Sequence, residues 1–410
     1  PLLKNMLRAY SKDDARIGRS AAADLRQPET IMFKYQETNR YFAQISNGLE
    51  DMGTLELEEL GAKEIHPAYR GIYFEADKRS LYRINYSSRL ITRVLAPLLA
   101  FKCETAEVLY KTAKNIDWPA IFSVKNTFAV FATVSNSKIT HSQYAGLRLK
   151  DSIADFFRDN CGKRPNVDPD NPDVWINLHI ENDRATIGLD ASGGSLHRRG
   201  YRGETVKAPI QETVAAAIIR LTGWDGDKPF YDPMCGSGTL LCESLMHYCR
   251  IPSGILRNKF GFQMLPDFDA GIWESVKEEA SKSMRSIPAG LISGSDISKE
   301  AVYTARENIK ALPYGDKISL KVTDFKKIPE LNGYAIVSNP PYGIRMESKD
   351  GIEDFYKFLG DFLKQRCKGS VAYIYFGNRE LIKKTGLKPS WKKPLVSGGL
   401  DGRLVKYELY

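Results

Sequence analysis

Apolar positions along the second half of this chain fall into short unbroken runs separated by longer stretches of helical period. Ala335-Ile336-Val337 is one such run, closed by Ser338-Asn339-Pro340-Pro341. A run of this length, apolar at every position, reads as a strand buried on both faces. It must stop at Asn339, because two prolines cannot donate to a ladder. The same reading gives strands at Pro229–Asp232, Leu291–Asp296, Ile318–Val322 and Ser370–Phe376. Between them the period changes to that of helices: Pro209–Leu221, Leu240–Cys249, Ser298–Leu312 and Ile352–Cys367, with Ser298 as an N-cap and Pro313 as a stop. Residues 250–290 form an insertion with an amphipathic helix near Ile272–Met284, and Leu395–Tyr410 reads as a closing hairpin with turns at Gly398-Gly399 and Asp401-Gly402. Strands alternating with helices predict an α/β fold with a doubly wound, mostly parallel sheet.

The first half is patterned differently. Strand candidates at Arg40–Ile45, Gly71–Phe74 and Ser88–Leu95 alternate with helices at Gly48–Gly61 and Asp77–Ser87, a small α+β unit. A second unit follows, with helical stretches at Glu104–Lys114 and Trp118–Phe122, a strand at Thr127–Val134 and a long amphipathic helix at Ser142–Asn160. It closes on a hairpin of Val174–Ile180 and Thr186–Asp190. Residues 1–31 are polar and weakly periodic, and Met32 is a plausible start, so they are expected to be a leader, tag or extension outside the fold.

At 410 residues the chain is too long for one ordinary core, so two or three domains are expected. No stretch reaches the roughly 20 apolar residues of a membrane span. None of the six cysteines forms a C-x-x-C pair and the five histidines do not cluster with them, so no metal site is expected, and reduced thiols fit a cytoplasmic protein. The net charge of +9 is uneven: residues 32–192 carry 20 basic and 21 acidic side chains, whereas 193–410 carry 33 and 25. A basic excess on one half is compatible with a polyanionic substrate or with a solvated lysine-rich surface.

The candidate chemistry sits at strand ends. Asn339, held extended by the proline after it, presents a carboxamide oxygen beside the Pro340 carbonyl, with Pro341 and then the Tyr342 ring following. Two acceptors and a ring suit a planar base that carries an exocyclic amine. Three acids, Asp232, Asp296 and Asp324, end three successive strands, and in such a sheet those ends line one ligand-binding edge. Asp296 suits a ribose diol, Asp324 an adenine amine, and Asp232 with the turn Pro233-Met234-Cys235-Gly236-Ser237-Gly238-Thr239 a cationic amino-acid moiety. Together they describe an S-adenosylmethionine site. The turn lacks the third glycine of a dinucleotide fingerprint and the Gly-Lys-Ser/Thr of a nucleotide kinase. The run Leu196-His197-Arg198-Arg199-Gly200-Tyr201-Arg202 has two readings: phosphate contacts with base stacking, or a salt-bridged interdomain linker lining the cleft.

With these motifs the chain resembles the THUMP-containing, N-P-P-Y class of amino methyltransferases, in particular the large-subunit (23S) ribosomal RNA guanine-N2 methyltransferases that form the first half of a fused double enzyme. The carriers are Ser142-Gln143-Tyr144, Arg164-Pro165-Asn166-Val167-Asp168, residues 196–202, residues 232–241 and Ser338–Gly343. The resemblance implies a ferredoxin-like unit over 32–98, a THUMP RNA-binding domain over 99–192 and a seven-stranded methyltransferase domain over 193–410. It implies catalysis at Asn339, Pro340, Pro341 and Tyr342. S-adenosylmethionine would be held by Asp232, Pro233, Met234, Cys235, Gly236, Gly238, Thr239, Asp296, Ile297, Asp324 and Phe325. Ribosomal RNA, or a large-subunit precursor, would be met by Arg164, Asn166, Arg198, Arg199, Tyr201, Arg202, Lys383 and Lys384. The chain ends at Tyr410, before the second enzyme of the fused form, so one modification is expected. Alternatives that keep the pocket are a tRNA guanine-N2 or a nucleic-acid adenine-N6 methyltransferase; a non-catalytic RNA-binding assembly factor is a third.

Overall fold

The computed structural model describes residues 32–203, 210–342, 349–397 and 400–410. Residues 1–31, Pro209, Gly343 and the Gly398-Gly399 turn, all part of the sequence reading, lie outside them.

The N-terminal half begins with α1 (Lys34–Thr38), β1 (Arg40–Gln44), α2 (Glu50–Glu59), β2 (Lys63–Ala68), β3 (Gly71–Glu75) and α3 (Lys78–Ser87). The Asp77 carboxylate caps α3 by accepting from the Ser80 amide. On α2, Gly53 and Leu57 are buried while Leu55 is exposed, and the Ile45 and Ile72 side chains crowd the space a Cβ at Gly53 would take. β2 gave no apolar signal in the sequence, since it is a mostly exposed edge strand.

The next strand, β4, runs Arg93–Lys102, several residues later than the apolar pattern suggested. Ser88, Arg89 and Leu90 instead make a turn: the Ser88 hydroxyl and the Arg89 and Leu90 amides all donate to the buried Glu56 carboxylate. β4 then pairs antiparallel with β1 on one side and with β8 on the other. Following it come α4 (Ala106–Ala113), β5 (Thr127–Ser135), α5 (Ser142–Cys161), β6 (Asn166–Val167), β7 (Val174–Glu181) and β8 (Arg184–Asp190). The β7–β8 turn places Asn182 and Asp183 at positive φ, the two-residue geometry that matches strand twist. The two N-terminal units therefore share one eight-stranded sheet, ordered β2-β3-β1-β4-β8-β7-β5-β6. A boundary between residues 98 and 99 falls inside β4.

The C-terminal half comprises α6 (Glu212–Thr222), β9 (Phe230–Asp232), α7 (Thr239–Tyr248), α8 (Ala270–Ser283), β10 (Ile292–Asp296), α9 (Lys299–Lys310), β11 (Ser319–Val322), β12 (Ala335–Ser338), α10 (Lys349–Arg366), β13 (Val371–Phe376), β14 (Trp391–Ser397) and β15 (Leu400–Glu408). Its seven-stranded sheet is ordered β11-β10-β9-β12-β13-β15-β14, parallel from β11 to β13 and antiparallel at β15 and β14. Asp401 and Gly402 lie inside β15, paired with Val396 and Leu395, rather than in a turn. Gly402 is needed there because the Tyr375 ring occupies the space a Cβ would fill. From β9 the chain winds outward through β10 to β11, then returns to lay β12 on the other flank of β9. The crevice at the carboxyl ends of β9 and β12 is thus the topological switch point of the sheet.

Candidate active site at the switch point

Asp232 and Ser338 end the neighbouring strands β9 and β12, and the Ser338 hydroxyl donates to Asp232 Oδ1 over 2.7 Å. The same oxygen accepts from the Met234 amide, which curls the chain into the glycine turn. Asp232 is fully buried, and burial pushes its carboxyl up to about 7. Ser338 was not among the residues expected at the site, although it directly precedes Asn339. The bond joins the base of the glycine turn to the residue before the candidate catalytic amide.

The turn itself is built on backbone. Gly236 adopts φ +54 with nothing within 4 Å of a would-be Cβ, so its main chain faces open space. Its amide donates to Asp296 Oδ2, and the Ser298 amide donates to Asp296 Oδ1. Asp296 is thereby fixed against the turn, with Ile297 beside it 69% exposed. Asp324 follows β11 and accepts from the Lys326 amide. Exposed main chain, a fixed carboxylate, an apolar side chain and a second acid along one edge form a donor set that fits an adenosine carrying an amino-acid arm. Two expected members point elsewhere. The Phe325 ring is buried against Phe355 and Phe362, and the Thr239 hydroxyl is taken by Arg202. Cys235 is buried, and burial holds its thiol well above the ordinary range.

Asn339 is half-buried at the mouth of β12, with Pro340 buried behind it. The Tyr342 hydroxyl donates to Asn339 Oδ1. Its ring lies on Gly377, where a Cβ would come within 2.7 Å of it, and meets Tyr375 edge-on at 5.9 Å. The Pro341 carbonyl accepts from the Tyr356 hydroxyl at 3.1 Å. Burial raises the Tyr342 hydroxyl pKa, which keeps the hydroxyl protonated.

The C-terminal half, residues 199–406, matches the family profile of the RMKL-like methyltransferase domain, residues 103–190 that of the THUMP domain, and residues 40–95 that of the RlmL ferredoxin-like domain. A candidate RNA methyltransferase of Synechocystis sp. is 40% identical over 385 residues, spanning 93% of this chain and 100% of that protein. The chain belongs to the THUMP-bearing RMKL-like methyltransferases. The ribosomal RNA large subunit methyltransferase K/L of Syntrophotalea carbinolica is 35% identical over 383 residues, 90% of this chain, and the chain spans about half of that enzyme's length (53%). Among solved structures, SMU.472, a candidate methyltransferase in complex with SAH, aligns at TM-score 0.79 with 27% identity over 91% of this chain and 98% of that one. A Listeria monocytogenes protein named, by prediction, an N6-adenine-specific DNA methylase aligns at TM-score 0.78 with 25% identity over 91% of this chain and 97% of that one.

In this THUMP methyltransferase the side chains expected to meet RNA fall into three groups. Arg164 and Asn166 are exposed and line a polar groove of about 570 Å³ with Tyr110, Arg148 and Lys150, on the family's THUMP segment. The Arg148 guanidinium stacks 4.6 Å from the Tyr110 ring, a contact the sequence did not signal. Lys383 and Lys384 are exposed, and Lys384 pairs with Glu353. Arg198 is exposed. Arg199 and Tyr201 are buried and both reach the buried Glu243 of α7, while Arg202 pairs with Glu212. Those last three side chains are corrections: they are spent inside the protein, and the interdomain-linker reading describes them. His197 is half-buried, and its partial burial, then the nearby Arg198, Arg199 and Arg202 charges, hold its pKa down to about 4. Among the described residues, no helix is long and apolar enough to cross a membrane, and no group of three or more His, Cys, Asp or Glu side chains could hold a metal ion.

Proposed function

We propose that this methyltransferase transfers a methyl group to the exocyclic N2 amine of a guanine in large-subunit ribosomal RNA. The observation that carries the reading is the pair of acceptors, Asn339 Oδ1 and the Pro340 carbonyl, at the end of β12 beside the glycine turn of β9. The relation to the K/L ribosomal RNA methyltransferases, extending over 90% of the chain, and the THUMP segment support ribosomal RNA over DNA.

S-adenosylmethionine, when bound, supplies an electrophilic methyl on a sulfonium centre. The residues that would hold it are Asp296 for the ribose, Ile297 and Asp324 for the base, and Asp232 with the backbone of 233–238 for the amino-acid arm. Guanine N2 is a poor nucleophile because its lone pair is delocalised into the ring. Two hydrogen bonds, to Asn339 and to the Pro340 carbonyl, favour a more pyramidal nitrogen and aim its lone pair. Orientation and fixed dipoles then supply most of the acceleration. No strong base is required, since the amine proton becomes acidic once nitrogen carries positive charge and can pass through the acceptors to water. A paired guanine must leave its stack to reach the crevice.

The test is methyl transfer from labelled S-adenosylmethionine to deproteinised large-subunit RNA, bulk tRNA and DNA from a strain lacking the enzyme, with nucleoside analysis of the products. N2-methylguanosine in ribosomal RNA is expected. The same nucleoside in tRNA alone, or N6-methyladenine in any of the three, overturns the assignment. The adenine product is the second reading, favoured by the same two acceptors and by the relation to the Listeria protein.

A further inference from the structure

We infer that residues 196–203 form a strap that sets the shape of the glycine turn from the RNA-binding half, with Arg202 and Asn308 as its positioning residues. The inference rests on the reading of 232–239 as the cofactor turn. The strap is anchored at both ends. Toward the N-terminal half, the Leu196 amide donates to the Thr92 carbonyl at 2.8 Å, and Arg199 donates to the Arg89 carbonyl. Arg257 adds bonds to the Ser192, Gly193 and Ser195 carbonyls where the strap begins.

Toward the C-terminal half, the strap meets the turn and its helix at three successive points. Arg199 Nε faces Glu243 Oε1 at 3.3 Å, one turn into α7. Arg202 donates to the hydroxyl of Thr239, the first residue of α7, at 2.9 Å, and to the Ile210 carbonyl. The Gly203 amide donates to Asn308 Oδ1, and Asn308 Nδ2 donates to the Ser237 carbonyl at 2.9 Å. Asn308 is 3% exposed and sits on α9, outside every motif in the sequence.

The Ser237 carbonyl belongs to the peptide that joins Ser237 to Gly238. The amide of that peptide donates to the Cys235 carbonyl at 2.8 Å, so the plane is gripped at both ends. Gly238 lies at φ +81 against Ala305 of α9. A flip of this peptide turns ψ of Ser237 and φ of Gly238, and the glycine on that one side lowers its steric cost. Asn308 removes that freedom, and through Gly203 it ties the peptide to the strap. A buried carbonyl left without its donor loses the compensation for its desolvation, and the turn then has reason to rearrange.

The experiment is titration of the full chain with S-adenosylhomocysteine, for the wild type, Asn308→Ala and Arg202→Lys. The lysine keeps the charge but lacks the fork that reaches Thr239, Ile210 and Glu212 together. We expect Asn308→Ala to weaken S-adenosylhomocysteine about tenfold, the usual scale for an orphaned buried acceptor, and Arg202→Lys to weaken it about threefold. In steady-state assays the KM for the methyl donor rises in step while kcat at saturating donor stays within about twofold. A purely structural role lowers the melting temperature and leaves the affinity alone. Variants that fold and bind within twofold of wild type overturn the strap. If Asn308→Ala does not fold, Arg202→Lys alone decides. A wild type that binds no S-adenosylhomocysteine overturns the cofactor-turn reading instead.

Discussion

Tyr342 donates its hydroxyl hydrogen bond to the carboxamide oxygen of Asn339, three residues earlier in the same turn. The bond fixes which face of the amide looks into the crevice, and it occupies one of the oxygen's two lone pairs. The other remains for an incoming amine. From the sequence Tyr342 offered its ring beside the two acceptors; in the fold its hydroxyl also holds the amide that is expected to do the chemistry.

Removing the hydroxyl while keeping the ring separates these roles. Tyr342→Phe should lower kcat about tenfold, the scale of one lost orienting hydrogen bond, with little change in affinity for S-adenosylhomocysteine. Asn339→Ala removes the acceptor itself and should cost about 100- to 1,000-fold in kcat. Single-turnover methyl transfer checks both, and an Asn339→Ala enzyme of full rate would sink the proposed chemistry.

Gly377 forms the floor under the Tyr342 ring, with 2.7 Å between its would-be Cβ and the ring. Gly377→Ala should displace the ring and, with it, the Asn339 amide. The expected outcome is a kcat loss of about tenfold alongside a small shift in melting temperature, because the ring can move toward the crevice rather than unfold the core.

Asp232 gives the ligand-free protein a pH dependence. Burial favours its neutral form, so its folded-state pKa of about 7 stands above the unfolded value. The stabilising contribution is then complete below the ordinary carboxylate range and is lost as pH rises from about 4 through about 7. Linkage over about three units puts the loss at up to about 4 kcal/mol. Urea denaturation at pH 5 and pH 8 should show wild type losing stability where Asp232→Asn, which still accepts from Ser338, is flatter. Parallel curves for the two proteins would refute the assignment.

Arg199 and Glu243 are both fully buried, and Arg89 shares the same carboxylate. Arg199→Ala leaves Glu243 short of its closest cation and should destabilise the protein by about 3–5 kcal/mol in urea titration. A loss below about 1 kcal/mol would mean that Arg89 alone satisfies Glu243.

The strand–turn–helix of 229–248 and the strand ending at Asn339 were legible in the sequence because each is specified by neighbours. An apolar run fixes a buried strand, glycines fix the turn, and two prolines fix the stop. The three acids at strand ends followed from the same local logic, and the parallel register of β9, β10, β11 and β12 brings those ends to one edge. The fate of Arg199, Tyr201 and Arg202 was not local. Their spacing fits an RNA-facing strip as well as a linker, and only the distant Glu243, Glu212 and Thr239 decide that they turn inward. Phe325 likewise follows a strand-ending acid, but Phe355 and Phe362 draw its ring into the core. β4 starts late because Glu56, more than 30 residues earlier, captures the turn before it. The continuity of the eight-stranded sheet depends on β4 pairing on both edges, and a strand's sequence does not name its partners. Asn308 carries no mark at all: an asparagine on a helix gains a role only where folding sets it between Gly203 and Ser237. Local sterics and hydrophobic period thus settled the elements and which residues stand at their ends, whereas burial and long-range hydrogen bonding, which exist only once distant segments meet, settled which polar side chains stay exposed and which hold the two halves together.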